Sequence, residues 1–109
     1  MKKITAVFPT EREELVKEKL YQLDIGGMLI THLTGCGLPR GEEKKKGKKY
    51  FELPKTKLEI IVTDPACETA IAILMKCLHT GEIGDGKIFI SAVDDAIRIR
   101  TGERGPIAV

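Results

Sequence analysis

Two stretches of helical periodicity, each flanked by strand-like runs, leave this 109-residue chain few folds to choose from. Residues 2–8 (Lys-Lys-Ile-Thr-Ala-Val-Phe) read as a strand, stopped by Pro9. Thr10-Glu-Arg-Glu13 then has the spacing of a capping box, with Thr10 accepting from the Glu13 N–H and Glu13 reaching back. Val16, Leu20 and Leu23 follow at i, i+4 and i+7, which predicts an amphipathic helix ended by residues 24–27. Residues 28–36 are mostly apolar and read as a second strand; residues 55–63 read as a third, with Leu58, Ile60 and Val62 on one face. Asp64-Pro65 supplies a cap and a first-turn proline for a second helix, carried by Ala70, Ile71, Leu74, Cys77 and Leu78 and ended by Gly81. Residues 87–91 make a fourth strand, and 96–101 a short fifth or an extension of it.

The order β-α-β-β-α-β predicts an α+β ferredoxin-like sandwich, an antiparallel sheet with two helices on one face, in a single domain spanning residues 1–109. The other face then has no helix over it. With Ile61, Leu29 and Leu33 as candidates for that face, burial against another subunit is expected, so the chain should be an oligomer.

Between the second helix and the fourth strand lies Gly81-Glu-Ile-Gly84-Asp85-Gly86-Lys87. Successive N–H groups in a glycine-rich turn can form a concave anion nest, and Lys87 adds a point charge at its edge. Arg98 and Arg100, two residues apart, share a face if their stretch is a strand. Together they suggest a phosphate site. The same residues also suit an ordinary turn beside a solvated strand, and neither the Walker nor the G-x-G-x-x-G pattern is present.

The chain's net charge of +2 is too small to imply nucleic acid or membrane binding, but it is uneven. Arg40, Lys44, Lys45, Lys46, Lys48 and Lys49 stand against only Glu42 and Glu43, in a loop running from Gly35 to about Phe51 or Leu53. A long aperiodic loop in a small domain is often functional. The run reads as a solvated, mobile loop, or as a surface for an acidic partner whose association the charge would speed. Cys36, Cys67 and Cys77 form no C-x-x-C, and His32 and His79 have no ligand-spaced neighbours, so no metal site is expected. Cys67 and Cys77 read as small buried hydrophobes. No apolar run approaches a signal peptide or a membrane span, and a cytoplasmic location is expected. No nucleophile–base pair is visible around Ser91 or Cys36, which argues against an enzyme.

In this order of elements the chain resembles the PII nitrogen-regulatory signal proteins. The segments that carry the resemblance are residues 80–91 (TGEIGDGKIFIS), 97–103 (IRIRTGE), 53–62 (LPKTKLEIIV) and the opening MKKI. It implies a homotrimer with adenine nucleotide (ATP, ADP or AMP) between subunits, and a protruding loop, here residues 38–52, that regulates a transporter or enzyme. It implies that Gly84, Asp85, Gly86 and Lys87 hold phosphates and that Arg98 and Arg100 close on the nucleotide from the neighbouring subunit. It further implies that Gly35 and Gly37 let the strand end approach the nucleotide and that Ile61 lies beside the adenine. Lys55 matches a family lysine that contacts 2-oxoglutarate.

Departures from the family pattern fall at Leu38, where an arginine approaches phosphates, at Pro39, where a glutamine helps hold Mg²⁺ and 2-oxoglutarate, and at Leu29, a threonine near adenine. Pro39 has neither an amide oxygen nor a backbone N–H, so Mg²⁺ and 2-oxoglutarate stay open as ligands. The loop is about three residues short, its modifiable tyrosine is missing, and Tyr50 is expected to pack at its base. Short-loop relatives regulate nitrogenase or attach to carbon assimilation. Residues 103–109 read as a turn and then a mobile tail.

Overall fold

The computed structural model describes residues 1–109 and builds one four-stranded antiparallel sheet in the order β2-β3-β1-β4, with two long helices on one face. The strands are β1 (Lys2–Pro9), β2 (Leu29–Gly37), β3 (Phe51–Val62) and β4 (Lys87–Ala92). The helices are α1 (Glu13–Tyr21), the short α2 (Gly41–Lys45) and α3 (Asp64–Leu78). This is the ferredoxin-like arrangement expected from the element order.

Strand alternation sets the layers. Ile4, Ala6 and Phe8 of β1 and Leu58, Ile60 and Val62 of β3 point toward the helices and are almost completely buried. Against them pack Val16 and Leu20 of α1, and Cys67, Ala70, Leu74, Cys77 and Leu78 of α3, on the i, i+3, i+4, i+7 stripe that a helix needs to bury one side. Each fully buried Leu, Ile or Phe contributes about 1.5–3 kcal/mol. On the helix-free face Leu29, Leu33 and Ile61 share the surface with charge. Lys3 Nζ lies 2.7 Å from Glu59, Lys57 lies 3.8 Å from it, and Lys3 above all holds the Glu59 carboxyl below its ordinary range.

Four local expectations are corrected. The capping box does not form: residues 10–12 make a 3₁₀ turn, α1 begins at Glu13, and neither start has a side-chain cap. Instead Thr56, the one buried polar residue, donates to Glu13 (3.0 Å) and lies 3.1 Å from the Thr10 hydroxyl, while His32 of β2 bonds the same Glu13 oxygen. Burial of Thr56 demands a partner, and that demand outweighs a surface cap. Asp64 likewise does not cap α3; it pairs with the terminal amine of Met1 at 2.9 Å. Helix α3 ends at Leu78, with His79 already extended, rather than at Gly81. No fifth strand forms: after β4 there is only the single bridge Ile97–Arg104.

The β2–β3 pair is longer than the apolar pattern suggests, keeping one register from Leu29 opposite Glu59 to Gly37 opposite Phe51. Since β1 stops at Pro9 opposite Lys55, residues 34–37 and 51–54 form a two-stranded arm beyond the sheet, and residues 38–50 cap it. That arm explains a radius of gyration of 16.5 Å, against about 13 Å for a compact chain of this length.

Candidate functional site

The turn before β4 is built by Asp85. Its carboxylate accepts from the Thr80 N–H (2.8 Å), the Gly81 N–H (3.0 Å) and the Thr80 hydroxyl, with His79 4.0 Å away. These donors, the Thr80 hydroxyl foremost, hold the Asp85 carboxyl below its ordinary value. Gly81, Gly84 and Gly86 all have positive φ. At Gly86 (φ +107) a Cβ would also sit 1.9 Å from the Val7 carbonyl oxygen, so only glycine lets the turn press against β1. With Asp85's carboxylate occupied by residues 80 and 81, any hold it has on phosphate is through its backbone. The N–H groups of Gly84, Asp85 and Gly86 are left without an acceptor in the chain, and the Lys87 ammonium makes no ion pair at their edge. Such a turn can bind an anion without first breaking its own bonds.

Lys55 links this turn to the arm. Its ammonium donates to the Gly84 carbonyl at 3.0 Å, and its stem crosses Gly35, where a Cβ would lie 2.6 Å from Lys55 Cγ. Gly37 is similarly covered by the Phe51 ring, 2.3 Å from where a Cβ would be. A Cβ at Gly35 would displace the Lys55 stem, whereas at Gly37 the obstacle is the outer edge of the half-exposed Phe51 ring, which can swing aside.

A cleft of about 520 Å³ lies at the other end of the helix-free face, between Leu29, Glu59, Ile61, Arg98 and Val109. Arg98 is fixed there by Glu103 (3.0 Å) and the Ile107 carbonyl (3.0 Å). Two backbone bonds, Arg98 N–H to Glu103 and Gly102 N–H to Arg98, close residues 98–103 into a turn. The strand geometry that was to put Arg98 and Arg100 on one face is thus missing, and Arg100 stands exposed without a partner. The tail is also ordered rather than trailing. Asp95 accepts from Arg104 Nε (3.0 Å) and from Gly105 N–H (3.1 Å), residues 105–108 form a 3₁₀ turn, and Val109 reaches Gly26.

One chain does not bring all the predicted site residues together. Ile61 pairs with Lys3 and Lys87 with Val7. Those β1 positions are four residues apart, or about 13 Å along a strand. Gly35, Lys55 and Gly84–Lys87 cluster at the arm end, Ile61 and Arg98 at the other.

The lysine run is partly helical, in α2, with Lys45–Glu42 and Lys48–Glu43 each at 3.5 Å; Arg40, Lys44, Lys46 and Lys49 make no ion pair. Tyr50 does not pack: it is 62% exposed, as Leu38 is at 72%. Sequence reading missed Thr56 and Asp95. Thr56 was detectable, because it continues the inward Leu58-Ile60-Val62 series by one position with a hydroxyl; nothing local marks Asp95.

Known proteins share this architecture along the whole chain. The family described as nitrogen regulatory protein P-II matches residues 1–103. The nitrogen regulatory protein P-II of Rhodospirillum rubrum is 42% identical, with both chains covered completely. Nitrogen regulatory protein P-II 2 of Methanothermobacter thermautotrophicus is 46% identical over all of this chain and 97% of its own. Among solved structures, the B. subtilis GlnK-ATP complex superposes with a TM-score of 0.86 at 29% identity, covering 99% of this chain and 94% of that one. B. subtilis GlnK gives 0.82 at 31%.

Proposed function

The chain belongs to the nitrogen regulatory protein P-II family, and from that premise we propose that it is an adenine-nucleotide-binding signal protein acting through its arm. The observation that carries this reading is the Gly84–Gly86 turn, whose three N–H groups stand unclaimed beside Lys87. The ATP in the related GlnK complex is consistent with it.

The split of the predicted residues favours a site completed between copies, as a homotrimer provides. Phosphates sit on the turn of one copy; the adenine lies against Ile61 and Leu29 of the next, where Arg98 and Arg100 supply cations. Gly35 and Gly37 form the wall at the arm root. Occupancy biases residues 38–52, which bind a transporter or metabolic enzyme through Arg40, Lys44, Lys45, Lys46, Lys48 and Lys49. Leu38 and Pro39 supply no cation and no amide, so the reading is of a nucleotide sensor with no Mg²⁺-dependent 2-oxoglutarate input. It is also of a protein that regulates without turning substrate over.

Calorimetric titration with ATP, ADP and AMP, each with and without Mg²⁺ and 2-oxoglutarate, tests this. Nucleotide binding unchanged by 2-oxoglutarate is expected, with Lys87→Ala and Arg100→Ala each weakening it about tenfold through loss of a charge-assisted bond. Wild-type affinity in both variants would remove the site assignment, and steady multiple-turnover phosphate release would make the protein an enzyme.

A further inference from the structure

We propose that Lys55 is the positioning residue that couples anion occupancy of the 84–86 turn to the root of the arm. The inference rests on the reading of that turn as a phosphate site, and three observations place Lys55 in this role.

First, Lys55 stands where the sheet becomes an arm. It is the last β3 residue toward the arm that β1 still pairs, opposite Pro9, so what holds Lys55 holds the base of the two-stranded ribbon. Second, its side chain's only hydrogen bond runs from the ammonium to the Gly84 carbonyl, 3.0 Å away and 29 residues on in sequence. Third, its stem has a track: it passes over Gly35, where a Cβ would come within 2.6 Å of Lys55 Cγ and 3.3 Å of Cε. The lysine therefore touches β2, β3 and the turn at once.

The coupling follows from the geometry of one peptide. In a trans peptide the carbonyl and the N–H point to opposite sides. The Gly84 carbonyl is held toward Lys55, so the Asp85 N–H of the same peptide is turned away from it, free of any partner in the chain. An anion accepting from that N–H polarises the peptide and makes the Gly84 oxygen a better acceptor for the ammonium. Occupancy thereby tightens Lys55 on the turn, and by reciprocity Lys55 strengthens anion binding. Gly84, at φ +103, has no Cβ to resist a change of its own torsions, so the 84–85 peptide can rotate about the Gly84 Cα–C bond when nothing pins its carbonyl.

The test uses the full-length chain with ATP as the probe. Each protein is first titrated calorimetrically to saturation, so that weaker affinity is separated from a lost response. Limited trypsin digestion is then followed by mass spectrometry, counting only cuts after residues 40–49. In the wild type, saturating ATP is expected to slow these cuts about fivefold or more. Lys55→Met should bind ATP more weakly and show no ATP protection at saturation. Gly35→Ala, which keeps the charge but blocks the track, should also lose protection, and Lys55→Arg, which keeps a donor, should recover at least half of it.

The proposal is overturned if Lys55→Met is protected like the wild type, if it cannot be saturated at all, or if Gly35→Ala matches the wild type. It is also overturned if Lys55→Arg behaves as Lys55→Met. An unprotected wild-type arm at saturating ATP removes the coupling and leaves the nucleotide site standing. A wild type that binds no ATP removes both.

Discussion

The turn at residues 79–87 and the cap of the arm at residues 38–50 are both surface loops rich in glycine and charge, yet they are built in opposite ways. The turn satisfies its own acid internally: Asp85 accepts from Thr80 and Gly81, and Gly86 presses against the Val7 carbonyl. It is shaped before any ligand arrives, as a site for a small anion must be if binding is to cost little ordering. The arm cap has no buried residue, its five-residue helix has no side-chain cap, and its two ion pairs are solvent-exposed. Exposed pairs contribute little to shape, so the cap can adapt to a partner surface. The turn's shape is fixed by its own bonds; the cap's is left open.

Glycine substitution gives the sharpest way to break this contrast. Gly86→Ala is expected to cost about 3 kcal/mol or more in denaturant unfolding, from the clash with Val7 and the positive φ together. Gly47→Ala, with positive φ but open space around it, should cost only the roughly 1–2 kcal/mol of a left-handed alanine. Equal costs would mean the turn is no more built than the cap.

Acid gives a middle-sized effect. The Asp85 carboxyl is depressed in the folded chain, so its contribution is fully present above the ordinary value of about 3.8 and is lost as pH falls through the folded one. Amide exchange at Thr80 and Gly81, after correction for intrinsic rates, should therefore rise as pH falls below 3.8, and Asp85→Ala should show the raised exchange already at neutral pH. Protection in Asp85→Ala equal to wild type would mean the carboxylate does not shape the turn.

The smallest effect belongs to the cap. Replacing Lys44, Lys45 and Lys46 together by Gln should leave the thermal midpoint unchanged while weakening low-salt retention on immobilised polyglutamate. A lowered midpoint would show that the lysines support the fold.

Much of the fold was legible because strands and helices write their period into sequence. Leu58, Ile60 and Val62, or Leu74, Cys77 and Leu78, need only their neighbours to declare which side is buried. What was illegible depended on partners far along the chain. Thr10 and Glu13 look like a cap until Thr56, more than forty residues on, claims them. The tail looks loose until Asp95 is seen holding Arg104 and Gly105. For the site, the glycine-rich turn was readable from spacing, because positive φ has few other hosts. The division of Ile61 and Arg98 from Lys87 was not, since it follows from register along β1.

The unbroken register of β2 and β3, from Leu29–Glu59 to Gly37–Phe51, has a mechanical meaning. A ribbon without a bulge has no built-in hinge along its length, so a tilt where β1 stops would carry its outer end as a lever. For the proposed function this leverage would set the scale of the signal: a tilt of about 10° at Lys55 would displace Gly37 and Phe51, four residues or about 13 Å farther out, by about 2 Å. The cap, farther still from the fulcrum, would travel more, and a partner gripping it would feel a motion larger than the one that began it.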